Sequence, residues 1–265
     1  MLCIAGTDPS GGAGLLADVK AVAAMGGYGM GVVTAVTVQN TVGVSDVHPV
    51  PLETVIAQLD AVADDVEIDA VKIGMLGEAA LVHAVGEWLR RRRPPNVILD
   101  PVMVATTGGR LASDDAAGML RDLVPLVDLV TPNVPELAVL CGEETATDIE
   151  MIVGQAELVH EQCGSAVLAT TGDLADGSSE DVLVETDERW RTTRRLPYVR
   201  VDTPHTHGTG CSLSSALATA RVGVDDWGAA YERVRPWIDG ALQGGLHLGV
   251  GRGSGPLDHT WFLHH

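Results

Sequence analysis

Two glycine-rich segments carry the residues whose types and spacing are best suited to chemistry. The later one, residues 206–215, reads Thr-His-Gly-Thr-Gly-Cys-Ser-Leu-Ser-Ser and runs into a helical stretch of small residues. A glycine loop before a helix presents free backbone N–H groups at the positive end of the helix dipole, and together these bind anions. Cys211 falls in the first turn, where the same field favours a thiolate, and the backbone of Gly208 and Gly210 can stabilise a transferring phosphoryl group. The alternative is a close-packed helix that contains a structural cysteine.

The earlier glycine-rich segment, residues 6–14, follows a short apolar run. It formally contains a dinucleotide-binding pattern, but the glycines do not follow the strand tightly and no acidic residue ends the second strand. We therefore interpret it as a loop whose backbone approaches a flat ligand closely. Asp18 lies on the apolar face of the next helix, where an unpaired carboxylate is costly. This predicts a ligand contact, and an acid that complements the helix dipole is the alternative.

Polar residues after two further apolar runs form a third candidate group. Asp100 ends one run, and Asn133 and Glu136 follow another. The carboxyl ends of parallel strands form the ligand-binding edge of an α/β sheet, and oxygen ligands of this kind suit Mg²⁺. Asn133 and Glu136 also have the spacing of a helix capping box, so a structural role is the alternative.

The elements that must position these residues alternate along the chain. Apolar runs that predict buried strands cover residues 2–5, 32–38, 70–73, 97–99, 126–130 and 166–169. Helical patterns cover residues 13–26, 52–64, 78–93, 113–122, 134–140, 148–163, 209–222 and 226–247. This alternation predicts a mostly parallel sheet with helices on both faces, and residues 181–200 predict a small antiparallel edge hairpin. No linker breaks the pattern, so we expect one α/β domain over residues 1–265.

Composition excludes several classes of protein. The formal net charge of −19 argues against nucleic-acid binding, which needs a basic surface. No apolar run is long enough to span a membrane and the N-terminus lacks a secretory pattern, so we expect a cytoplasmic protein. The four cysteines form no C-x-x-C pair, which suggests neither a zinc site nor a disulfide framework. The acidic, lysine-poor composition fits either a salt-rich cytosol or GC-rich coding.

Together, these motifs resemble those of the hydroxymethylpyrimidine/phosphomethylpyrimidine kinases of thiamin biosynthesis, in the ribokinase-like superfamily. The matching segments are AGTDPSGGAGLLAD (5–18), TAVTVQNTVGV (34–44), VKIGML (71–76), LDPVMV (99–104), TPNVPE (131–136), THGTGCSLSSA (206–216) and GRGSGP (251–256). They follow the family order across nearly the whole chain. The resemblance implies a three-layer α/β/α fold, ATP and Mg²⁺ as cofactors, a homodimer, and transfer of phosphate to hydroxymethylpyrimidine and then to its monophosphate.

The resemblance also implies roles for individual residues. Cys211 would take the proton of the substrate hydroxyl, and Gly208 and Gly210 would form the anion hole. The residues that would line the pyrimidine pocket are Gly6, Asp18, Thr37, Gln39, Met75, Val102 and Cys211, with Asp18 and Gln39 on the ring and its amino group. The residues that would bind the nucleotide are Asn133, Glu136 and Thr209, and those that would bind the metal are Asp100 and Glu136. The second transfer should depend less on Cys211, because its nucleophile is an already ionisable phosphate.

One departure from the family pattern concerns the phosphates of ATP. Thr170 stands where the family has a lysine that reaches them, and Mg²⁺ or Lys72 could compensate. Two other functions stay open. One is a pyridoxal or pyridoxine kinase, and the other is a non-catalytic sensor that binds the pyrimidine without turnover. By resemblance, Gln39 and Met75 favour the pyrimidine as substrate. The retained Cys211 argues against a sensor. The glycine-rich segment 106–112 is a candidate lid over the substrate.

Overall fold

Short apolar strands alternate with longer helices in the computed structural model, which describes residues 1–103, 114–172, 179–187 and 190–263. The strands are β1 (Leu2–Thr7), β2 (Met30–Asn40), β3 (Gly43–Pro49), β4 (Val71–Ile73), β5 (Val97–Leu99), β6 (Leu129–Val130), β7 (Ala166–Ala169), β8 (Glu180–Asp187) and β9 (Trp190–Pro197). The helices are α1 (Gly14–Ala24), α2 (Leu52–Asp65), α3 (Ala79–Arg92), α4 (Asp114–Leu123), α5 (Val134–Cys141), α6 (Ile149–Cys163), α7 (Thr209–Arg221) and α8 (Trp227–Leu248). Single 3₁₀ turns cover Val124–Leu126 and Trp261–Leu263.

The strands form one sheet in the order β3-β2-β1-β4-β5-β6-β7-β8-β9. Neighbours from β2 through β7 are parallel, while β3 at one edge and β8 and β9 at the other run antiparallel. The predicted mostly parallel sheet with an antiparallel edge hairpin is therefore confirmed. The prediction lacks β3, because none of its side chains is buried and no apolar run marks the strand.

Helices cover both faces of the sheet, as the strand β1 shows. Leu2 and Ile4 point into a hydrophobic cluster shared with α2 to α6, whereas Cys3 and Ala5 point into a second cluster shared with α1, α7 and α8. The alternation follows from the two-residue repeat of a strand. The result is the expected three-layer α/β/α architecture, in which α1 and α7 lie side by side on one face.

Local signals place most helix ends within two residues of the prediction. Asp148 caps α6, since its side chain accepts the backbone N–H of Met151 at 2.9 Å. The strand predicted at 126–130 is shorter than expected, because a 3₁₀ turn that contains Pro125 precedes Leu129–Val130. The candidate lid at 106–112 lies outside the described residues, and one domain over residues 1–265 stays a prediction. None of the described helices combines the length and the apolar character that crossing a bilayer requires.

Candidate active site

A cavity of about 870 Å³ opens at the carboxyl ends of the parallel strands, beside the N-termini of α5 and α7. Open α/β sheets bind their ligands at this edge. The lining includes every predicted site residue except Asp18: Gly6, Thr37, Gln39, Met75, Asp100, Val102, Asn133, Glu136, Gly208, Thr209, Gly210 and Cys211. Residues from positions 6 to 211 of the chain thus meet at one place.

Strands β1 and β2 build one end of this cavity. The Thr37 hydroxyl donates to the carbonyl oxygen of Thr7 at 2.7 Å, and Oε1 of Gln39 lies 3.3 Å from the same hydroxyl oxygen. A Cβ on Gly6 would lie 2.5 Å from the terminal carbon of Met75, so glycine allows the methionine to pack against β1. An apolar methionine surface with an amide at its rim suits a flat heterocycle that carries polar substituents.

The N-terminus of α7 forms the next part of the wall. Gly208 is its N-cap residue and has a φ of 81°, a conformation that other residues rarely adopt. Cys211 follows in the first turn and is partly exposed. Burial of the sulfur raises the pKa of Cys211 to about 12; the charge of Lys72 lowers it, and those of Asp100 and Asp18 raise it. Burial therefore outweighs the neighbours that favour a thiolate in this structure, and the role of Cys211 as a base stays a prediction.

A fully buried ion pair lies beneath the α7 wall. Nζ of Lys72 lies 2.8 Å from Oδ1 of Asp18 and 3.6 Å from Oδ2 of Asp100, and the Ser215 hydroxyl donates to Asp18 at 2.9 Å. Asp18 has no exposed surface and does not line the cavity. The predicted contact of Asp18 with the substrate has no support from the cavity lining and stays a prediction. Helix α1 packs against α7. Lys72, in β4, neutralises the carboxylate of Asp18.

Lys72, like its partner Asp18, is buried and bound by charged neighbours. Burial alone would lower the pKa of Lys72, but the charges of Asp18 and Asp100 oppose this effect, and the pKa lies above the ordinary value. Lys72 borders the cavity, but its charged ammonium group has no exposed surface and is bound to two carboxylates. These contacts argue against Lys72 as a replacement for a phosphate-binding lysine.

On the opposite wall, Asn133 and Glu136 form the capping box of α5. Oδ1 of Asn133 accepts the backbone N–H of Glu136 at 2.9 Å, and Oε2 of Glu136 accepts that of Asn133 at 3.0 Å. The structural alternative is therefore confirmed, and both residues line the cavity as well. Burial raises the pKa of Glu136 to about 8, and the negative charge of Asp100 adds to the effect.

Asp100 and Glu136 are two of the carboxylates that line the cavity, and among the described residues they belong to no group of three or more potential metal ligands. Asp100 raises the pKa of Glu136, which means that the two negative charges oppose each other across the site. A divalent cation would relieve this repulsion. Mg²⁺ is usually bound through one or two carboxylates together with substrate phosphates, so this donor set fits it.

The wall also contains residues to which the sequence prediction assigns no role. The guanidinium group of Arg235, in α8, lies 4.0 Å over the ring of Tyr198. His207 and Asp8 form a buried pair with 2.7 Å between Nε2 and Oδ2. Both stand inside the quoted motifs, but 199 positions separate them, so their contact carries no local signal. Thr170 also lines the cavity, and its backbone N–H donates to the carbonyl of Pro132 at 2.9 Å.

A mostly parallel sheet covered on both faces, with a helix N-terminus, a thiol and two carboxylates around one cavity at the strand ends, defines a kinase of the ribokinase-like class. A family model described as phosphomethylpyrimidine kinase matches residues 8–258. The chain belongs to the phosphomethylpyrimidine kinase family, which confirms the family that the motifs predict.

Relatives of known name agree with this assignment. The chain is 45% identical to the hydroxymethylpyrimidine/phosphomethylpyrimidine kinase of Salmonella typhimurium, over 97% of this chain and 96% of the relative. It is 46% identical to the thiamine biosynthesis multifunctional protein ThiED of Corynebacterium efficiens, over 98% of this chain, which spans about a third of that protein (35%).

Two solved structures are similar over most of the chain. The pyridoxal kinase of Bacillus subtilis, a complex with ADP, has a TM-score of 0.88 at 29% identity and covers 99% of this chain and 97% of its own. The phosphomethylpyrimidine kinase of Clostridium difficile has a TM-score of 0.76 at 32% identity and covers 89% and 96%. These similarities confirm the predicted ribokinase-like fold.

Proposed function

We propose that this chain transfers the γ-phosphoryl group of ATP to the hydroxymethyl group of 4-amino-5-hydroxymethyl-2-methylpyrimidine, and then phosphorylates the monophosphate to the pyrophosphate. One observation carries the proposal. A single cavity joins the Gln39 and Met75 surface to the α7 N-terminus with Cys211 and to the carboxylates of Asp100 and Glu136. The name of the Salmonella typhimurium relative, which matches over nearly its full length, supports the same reaction.

The residues at the end of the cavity built by β1 and β2 would bind the heterocycle. Gln39, Met75 and Val102 all line the cavity. Gln39 would offer its amide to the ring and its amino group, Met75 would support the ring face, and Val102 would border the ring. The hydroxymethyl oxygen would then face the N-terminus of α7. There the backbone N–H groups around Gly208 and Gly210 would stabilise charge on the transferring phosphoryl group.

Cys211 would take the proton of the substrate hydroxyl as its oxygen bonds to phosphorus. Before that, the thiol would lose its own proton to solvent water, and the charge of Lys72, which lowers the pKa of Cys211, would stabilise the resulting thiolate. As the hydroxyl oxygen bonds to the γ-phosphorus, the bond between that phosphorus and the oxygen of ADP would break and ADP would leave. Phosphoryl transfer passes through a loose transition state, which needs little activation of the attacking oxygen. The transfer to the monophosphate has an ionised phosphate as nucleophile and depends less on Cys211.

Asn133, Glu136, Thr209 and Thr170 line the same cavity, and we infer that they would bind the nucleotide. Asp100 and Glu136 would hold Mg²⁺, which when bound neutralises charge on the phosphates. We further infer a cytoplasmic homodimer. The exposed apolar side chains of Val36, Val38 and Val42, on the hairpin of β2 and β3, support association of two copies.

A pyridoxal kinase is the second candidate, favoured by the TM-score of 0.88 with the Bacillus subtilis enzyme. Purified protein incubated with Mg-ATP and either hydroxymethylpyrimidine or pyridoxal separates the candidates, with ADP release as the measurement. We expect a higher kcat/KM for the pyrimidine, and mass spectrometry should detect both the monophosphate and the pyrophosphate. A higher kcat/KM for pyridoxal would support the second candidate. Pyrimidine binding without ADP release would support a sensor.

A further inference from the structure

A buried pair joins two loops of the active site that are far apart in sequence. Residues 6–14 are the first glycine loop, and residues 206–210 are the second. Oδ2 of Asp8, in the first loop, lies 2.7 Å from Nε2 of His207, in the second, and each residue is 1% exposed. Solvent therefore does not compete for this hydrogen bond.

Asp8 also determines the shape of the first glycine loop. Its carboxylate accepts the backbone N–H groups of Ser10 at 2.9 Å and Ala13 at 3.0 Å, and the Ser10 hydroxyl as well. Burial alone would raise the pKa of Asp8, but the hydrogen bonds from His207 and Ser10 outweigh it, so its pKa lies below the ordinary value. A charged carboxylate thus organises one loop and holds the other.

The two loops touch with no space for a side chain between them. A Cβ on Gly208 would lie 1.9 Å from the carbonyl oxygen of Gly12, and a Cβ on Gly12 would lie 2.4 Å from Cδ2 of His207. Gly208 is the N-cap of α7, which carries Cys211 in its first turn. Any shift of His207 is therefore passed to the helix N-terminus that faces the reacting groups.

We propose that Asp8 and His207 are positioning residues for phosphoryl transfer, whose bond fixes the N-terminus of α7 against the loop at the substrate end. The inference rests on the proposed function and adds two residues to its machinery. His207 borders the cavity but is only 1% exposed, and in this proposal it acts through α7. Its Nε2 is bonded to Asp8, and its Nδ1 is buried without a hydrogen-bond partner among the described residues.

The pair predicts a specific pattern of kinetic change. In the proposed function each ligand would bind mainly to its own end of the cavity, whereas the reaction would need both ends in register. A misplacement of about 1 Å can lower a rate by roughly 100-fold. Loss of the pair should therefore lower kcat and leave the binding of each ligand alone nearly unchanged.

Three variants test this pattern. His207→Ala removes the bond, and His207→Gln offers an amide N–H toward Asp8. Ser212→Ala is the matched control, since Ser212 bonds His259 at 2.8 Å, is fully buried and lies on the same helix, but its bond leads to the C-terminal segment instead of the first loop. The measurements are Tm, kcat for ADP release, and the separate Kd values for hydroxymethylpyrimidine and for AMP-PCP.

We expect His207→Ala to lower kcat by about 100-fold with both Kd values within about threefold of wild type. His207→Gln should recover at least about tenfold of that loss, and Ser212→Ala should lower Tm with kcat within about threefold of wild type. A kcat loss in His207→Ala no larger than that in Ser212→Ala would overturn the inference, as would weakened Kd values that account for the whole loss.

If His207→Ala does not fold, Asp8→Asn decides. It should lower kcat in the same way, and the Asp8→Asn/His207→Gln double variant should lose no more than Asp8→Asn alone, because paired residues are not additive. Independent, additive losses would overturn the inference. An inactive wild type would instead refute the proposed function, so the two failures are distinguishable.

Discussion

Two walls of the cavity, one at the N-terminus of α7 and one at the N-terminus of α5, hold their polar groups by contacts that differ in sequence separation. The α7 wall rests on Asp18, which binds Lys72 across 54 residues and Ser215 across 197. In the α5 wall, Asn133 and Glu136 bind each other across three residues. One wall depends on the assembled fold, and the other is complete within a single helical turn.

The difference shows where the site is vulnerable. Removing one member of a buried ion pair leaves an unpaired charge in an apolar setting, which costs far more than the intact pair contributes. A capping box sits at a helix end, where water can replace a lost bond. We therefore expect larger losses from changes to the α7 wall, and the variants below test this order.

Lys72→Met should have the largest effect, because it leaves Asp18 and Asp100 without their counter-ion. We expect a loss of about 3–5 kcal/mol in the free energy of unfolding, measured with urea. Arg90→Met is the control, since it breaks the exposed pair with Glu87 and should cost less than about 1 kcal/mol. Equal losses in the two variants would contradict the contrast between the walls.

Cys211→Ala should leave the fold intact and remove the proposed base. The first phosphorylation should slow by about 100-fold or more, and the second should slow less, as followed by ADP release with each substrate. Cys163→Ala, at the end of α6 and outside the cavity lining, should keep wild-type rates. Wild-type rates in Cys211→Ala would remove the assignment.

His259 ties the α7 wall to the C-terminal segment and should make its stability depend on pH. Burial lowers the pKa of His259 to about 4, so below pH 6.5 the unfolded chain binds a proton that the folded chain does not. Stability should fall as the pH falls, and between pH 7 and pH 5 wild type should lose about 2 kcal/mol more than His259→Gln. The exposed His83→Gln serves as control and should follow wild type.

Asn133→Ala tests the α5 wall and should cost only about 1 kcal/mol of unfolding free energy. It should also raise the KM for ATP, because Asn133 lines the cavity. Asp148→Ala removes the matching cap of α6 outside the lining, so it should lose similar stability and keep the same KM. If both variants kept the wild-type KM for ATP, the role of Asn133 would be limited to capping α5.

Thr170→Lys should have the smallest effect, on the same wall. A lysine here would offer a charge-assisted hydrogen bond to the phosphates, and we expect the KM for ATP to fall by about threefold to tenfold. Thr170→Met, similar in length but uncharged, controls for the added bulk. An unchanged KM in the lysine variant would place the phosphates away from residue 170.

The sequence by itself determined the elements and most of the site. Apolar runs and caps such as Asp148 act within a few residues, so strands and helix ends can be predicted from local patterns. Polar residues at strand ends, such as Gln39 and Asp100, meet at one edge in any parallel sheet. All the site residues that the motifs predict line the cavity, except Asp18. Strand β3 escaped prediction because its exposed side chains carry no such pattern.

Only the tertiary structure decided which charges pair and what state they take. Asp18 faces Lys72 because α1 and β4 pack together from distant parts of the chain. Asp8 faces His207 because the loops before α1 and α7 meet. The same packing buries Cys211 and raises its pKa, whereas the helix dipole alone predicts a thiolate. Desolvation and ion pairing depend on all neighbours in space, and a linear sequence does not specify those neighbours.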